Sequence, residues 1–168
     1  MAKKKKAKNY GWFAPGSSGF IGVSESGPVA EKKAGPQAVI KKSKGITSDE
    51  EHLQYIVKFV RYCIKNLGIK SKFVIKLAPS RQKAKLKTLA QFDMQNNNIT
   101  VLASSNRLLI DMLRSIAHEL VHLRQKETGD IRKKGNKDVG GEIEDEANAV
   151  AGQIVKKFSY ENEGVLPQ

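Results

Sequence analysis

Apolar residues recur at helical spacing in three stretches of the chain and cluster over strand-length runs in three others. Leu53, Ile56, Val57, Val60, Ile64 and Leu67 fall on one face of a helix that Ser48-Asp49-Glu50-Glu51 would open as a capping box, with Gly68 near its end. Lys72 to Leu77 reads as a short strand stopped by Pro79. Leu86 to Met94 and Ile99 to Ala103 flank Asn96-Asn97-Asn98 and read as a hairpin. A second helix is expected from about Asn106, as N-cap, to Lys126, closed by Gly129, and a third from about Glu142 to Phe158. This order of elements predicts an α+β fold with a small, three-stranded, mainly antiparallel sheet.

The remaining sequence sets the limits of the folded unit. With 168 residues and 39 % hydrophobic content, one compact domain is expected, spanning residues 48–160, with a short tail over 161–168. Residues 1–47 run through a lysine block, Gly16-Ser17-Ser18-Gly19 and repeated Gly-Pro and Lys pairs, which predicts an extended basic tail. That segment carries +8 of the +13 formal charge, and the rest of the chain +5. Lys3, Lys4, Lys5, Lys6 and Lys8 could neutralise phosphates of a nucleic acid or an acidic assembly partner, or simply keep the tail solvated. Tyr10, Trp12, Phe13 and Phe20 punctuate it with aromatics that a plain linker does not need. Gly129 to Gly141, rich in basic residues and glycine, reads as an exposed loop.

No run of about 18 apolar residues occurs, and no apolar stretch follows the amino-terminal lysines, so neither a membrane span nor an export signal is expected. Cytoplasmic location follows, or a place in a phage particle if the chain is virus-encoded. The single cysteine, Cys63, lies on the apolar side of the first helix and reads as a small core residue.

The candidate chemistry lies in Ile116-Ala117-His118-Glu119-Leu120-Val121-His122-Leu123, inside the second predicted helix. Histidines at i and i+4 share one helical face, where both imidazoles can reach one metal ion. Glu119, beside the first of them, can act as general base on a water activated by that metal. This is the division of labour that amide hydrolysis needs. The motif uses two of only three histidines. A zinc site open to substrate has three protein ligands, and the third should come from the next helix, which offers Glu142, Glu144 and Glu146. Glu144 and Glu146 are about 200° apart around a helix, so only one of them can face the metal.

HELVH followed by Glu144-Asp145-Glu146-Ala147-Asn148-Ala149 resembles the gluzincin metallopeptidases, especially the small repressor-cleaving ImmA/IrrE type and the HELVH-containing peptidase-like proteins of phages. The resemblance spans roughly residues 48–160. It implies a compact zincin fold, one zinc ion per chain held by His118, His122 and Glu144, and Asn148 as the residue that orients a ligand histidine. It also implies an oxyanion-stabilising side chain, for which Tyr160, Tyr62, Arg124 and His52 are the candidates.

The leading expectation is therefore a zinc endopeptidase acting on a protein or peptide, with an edge strand, Leu86 to Met94, pairing with extended substrate. Two others stand beside it. One is a structural or binding protein that keeps the fold, such as a phage particle component using its basic tail. The other is a peptidase carried to DNA by that tail.

Overall fold

The computed structural model describes residues 19–23, 37–46, 50–131 and 141–162. Five strands and four helices follow in the order β1 (Gly19–Val23), β2 (Ala38–Lys42), α1 (Glu50–Leu67), β3 (Phe73–Ala78), α2 (Arg81–Ala84), β4 (Ala90–Asp93), β5 (Asn98–Leu102), α3 (Leu109–Thr128) and α4 (Glu142–Glu161). The class is mixed helix and sheet, as the patterning predicts.

The sheet is larger than predicted. It has five strands rather than three, in the order β1-β2-β3-β5-β4. The central pairs β2–β3 and β3–β5 are parallel and only the outer pairs β1–β2 and β4–β5 are antiparallel, so it is mixed rather than mainly antiparallel. Both added strands come from the segment read as tail. Ala38-Val39-Ile40-Lys41-Lys42 alternates buried and open positions, but a lysine occupies its last inward position. Five residues with lysine at an inward site leave no apolar period to read. Parallel β2 and β3 are joined by α1, the long crossover that parallel pairing requires.

Alternation then sorts the two faces. Ile40, Ile75 and Ile99 are register partners on the inward face and are almost fully buried. Lys41, Lys76, Thr100 and Gln91 form the neighbouring row on the open face. Helix α1 buries Leu53, Ile56, Phe59, Val60, Cys63, Ile64 and Leu67 in the core shared with the sheet and α3. Phe59 and Tyr62 of α1 meet the Phe158 ring of α4 edge-on at 5.0 and 5.3 Å, which docks α4 onto the same core.

The helix ends decide where the chemistry is held. Gly129 adopts φ 80° and its N–H donates to the carbonyls of Gln125 and Lys126, the left-handed stop expected there. The start differs from the prediction. Asn106 lies in a turn, and α3 begins at Leu109 after an extended Leu108. Arg107 imposes this, since its guanidinium donates to the carbonyls of Leu102 (2.8 Å), Leu89 (3.3 Å) and Asp111 (2.9 Å), fixing the chain before the first turn. Of the capping box, Ser48 and Asp49 lie outside the described residues, as do Lys3, Lys4, Lys5, Lys6 and Lys8, Tyr10, Trp12 and Phe13, residues 132–140 and residues 163–168. No helix among the described residues is long and apolar enough to cross a membrane.

Candidate metal centre

Helix α3 runs beneath the β4–β5 edge of the sheet, and α4 packs along it through small residues. Ala147 and Ala151 of α4 are buried, as is Ala117 of α3, so the two helices can approach closely. His118 and His122 stand one turn apart on α3, and Glu144 reaches them from the first turn of α4.

The donors converge. The two Nε2 atoms are 3.0 Å apart, Glu144 Oε2 is 3.3 Å from His118 Nε2, and Glu144 Oε1 is 3.2 Å from His122 Nε2. Bonds of about 2.0 Å to a tetrahedral ion would set its ligand atoms about 3.3 Å apart, so these separations are those of a ligand set around one small cation. Two imidazoles and a carboxylate could hold a metal ion here. Among the described residues this is the one such grouping of His, Cys, Asp or Glu.

Neighbouring groups tune the donors. Burial and then the adjacent His122 lower the pKa of His118, opposed by Glu144 and by a hydrogen bond to the Asn148 side chain. The net direction favours the neutral imidazole that a metal requires. For His122 the tautomer follows from hydrogen bonding. Gln125, 1 % exposed, lies between His122 and α4. Its Nε2 donates to the Ile143 carbonyl at 3.0 Å and to Glu146 Oε2 at 3.1 Å. A carbonyl only accepts, so the amide can be oriented one way, with Oε1 toward His122 Nδ1 at 2.8 Å. His122 therefore carries a proton on Nδ1, which leaves Nε2, facing Glu144 and His118, as the nitrogen that could bind a metal.

Glu119 is 8 % exposed. Burial, and then the nearby Glu144, push its carboxyl up to about 8, while a hydrogen bond from the Phe92 backbone N–H of β4 acts the other way. Its side chain borders a cleft of about 570 Å³ that His118, His122, Glu144 and Asn148 also line, with β4 as one wall.

The structure thus brings His118, Glu119, His122, Glu144 and Asn148 together. Glu146 points elsewhere, 3.8 Å from Arg124 and bonded to Gln125, as the 200° separation requires. Glu142 is exposed at the start of α4. None of Tyr160, Tyr62, Arg124 and His52 lines the cleft, and the cationic side chain that does is Arg114, which the sequence reading passed over. Arg114 precedes His118 by four residues and was legible from the spacing that pairs His118 with His122. Gln125, at i+3 from His122, was also missed, since its partners on α4 are 18 and 21 residues away. Comparison with protein-family models, curated proteins and solved structures finds no match to this chain.

Proposed function

We propose that this protein is a zinc-dependent metallopeptidase, with His118, His122 and Glu144 as zinc ligands and Glu119 as general base. The observation that carries the reading is the convergence of two imidazoles and one carboxylate, with donor separations of 3.0–3.3 Å, and a second, buried carboxyl beside them facing the same cleft. Imidazole with carboxylate suits zinc, which His118, His122 and Glu144 would hold at the wall of the cleft.

When bound, zinc supplies the positive charge that acidifies water and polarises a carbonyl. With the metal bound, Glu119 would be the group that takes a proton from water and passes it to the departing amine. The Phe92 N–H holds its carboxylate for that task. Asn148 and Gln125 hold the two imidazoles. Strand β4 ends the sheet, and its outer edge, beside the cleft, is where an extended peptide chain would lie.

Zinc measured by mass spectrometry on the purified full chain should be one per molecule. It should be lost in His118→Ala and His122→Ala and retained in Glu119→Gln, which should fold and bind metal but hydrolyse no peptide. Stoichiometric zinc in a His118→Ala, His122→Ala double variant would refute the ligand assignment. Full hydrolysis by Glu119→Gln would refute the mechanism.

A further inference from the structure

A second chamber adjoins the cleft at the metal centre. This chamber, about 650 Å³, lies toward the start of α3 and is bordered by Leu89, Leu102 and the exposed Leu108. Leu89, Arg114 and Ser115 line both spaces and stand at the boundary between them. Arg114 is exposed there, one helical turn, about 6 Å of axial rise, before His118.

The other arginine of the second space is held by the fold through its terminal nitrogens. Arg107 donates to three backbone carbonyls and to Ser115 Oγ, and serves as a staple between sheet and helix. Arg114 makes no hydrogen bond or ion pair with any described residue, although Asp111 borders the same chamber. Apart from the metal-site residues, it is the only charged side chain among the described residues that line the main cleft, whose other walls include Thr88, Leu89, Gln91, Phe92 and Met94. A guanidinium that has no partner among the described residues and stands at the wall of a cleft can grip a carboxylate with two parallel hydrogen bonds and repels a cation.

We propose that Arg114 binds a carboxylate of the substrate, so that the peptidase acts on chains carrying an acidic residue next to the scissile bond and an apolar one in the neighbouring chamber. This rests on the metallopeptidase reading. Arg114 is a specificity residue in it, one turn away from the reacting atoms.

The test uses zinc-loaded full chain and two probes, N-acetyl-leucyl-glutamyl hydroxamate and its glutaminyl counterpart, with affinity measured by calorimetry. Both probes carry the same metal-binding group, so their ratio isolates the carboxylate. The glutamyl probe should bind about tenfold tighter to the natural chain, a difference of about 1.4 kcal/mol. Arg114→Gln should abolish that preference by weakening the glutamyl probe alone, and Arg114→Glu should reverse it, with zinc content and thermal unfolding unchanged in both. Equal affinities in the natural chain would overturn the inference while leaving the metallopeptidase reading intact. An equal loss for both probes in Arg114→Gln would also overturn it, assigning Arg114 to a group the probes share. If neither probe binds, the metal reading fails and the inference falls with it.

Discussion

Gln125→Leu is the variant that examines the centre most closely, because it keeps the side-chain volume and removes both ends of a buried bridge. In the natural chain the amide accepts from His122 Nδ1 and donates to the Ile143 carbonyl. With leucine there, His122 is free to carry its proton on the other nitrogen, which would block its lone pair toward the metal. Loss of a hydrogen bond that orients a ligand costs about 10- to 100-fold in metal affinity, or about 1.4–2.7 kcal/mol. The metal-free protein loses stability as well. The His122 Nδ1–H is left without a partner, at about 1–3 kcal/mol, while the Ile143 carbonyl keeps its bond within α4, and melting should fall by on the order of 5 °C. Gln125→Glu separates the two effects. It retains an acceptor for His122 but sets a carboxylate against the Ile143 carbonyl and Glu146, so it should melt low while holding zinc within about threefold of the natural chain. Zinc affinity is read by competition with a chromophoric chelator, and stability by thermal unfolding with and without EDTA. If the leucine variant binds zinc as tightly as the natural chain, Gln125 does not set the tautomer. If leucine and glutamate lose equal affinity, the effect is one of stability alone.

Glu144→Ala should weaken zinc by tenfold or more, whereas Glu146→Ala should change it less than about threefold, since Gln125 stays anchored on Ile143; the reverse ranking in the same titration would reassign the third ligand. Ile40→Ala should cost about 2–5 kcal/mol in urea unfolding, because Ile40 is buried between its partners on β1 and β3; a loss typical of a surface position would show that residues 38–42 are not in the sheet. Burial pushes the Cys63 thiol well above its ordinary pKa, so iodoacetamide at mildly alkaline pH should label it only in denaturant, and rapid labelling of the native chain would contradict its place under α1.

What the sequence made legible is what local spacing encodes. His118 and His122 at i and i+4, the opposed bearings of Glu144 and Glu146, and the glycine stop at Gly129 all follow from helical geometry over a few residues. β3 and the β4–β5 hairpin announce themselves by apolar runs around a turn, where Asn97 takes φ 51°. Apart from Arg114, the misses are matters of distant partners. β2 is a strand because Phe73, Ile75 and Leu77 of β3 lie alongside it, and nothing within Ala38–Lys42 outweighs its two lysines. Asn106 has the chemistry of a cap, but Arg107 reaches back to Leu89 and Leu102 and moves the first turn onward. Gln125 looks like any polar residue near a helix end until α4 is placed against it.

The order of the elements along the chain also has a consequence in time. Every strand and α1 precede His118, and Glu144 comes from the last helix. During synthesis the sheet and its first covering helix can emerge and pair before any metal donor has left the ribosome. The two histidines follow on a helix that still lacks its carboxylate and the carbonyl on which Gln125 is fixed. A growing chain therefore has only a weak, two-donor site, and tight metal capture waits until α4 docks. On the proposed reading, metal loading would report that α4 has docked against α3.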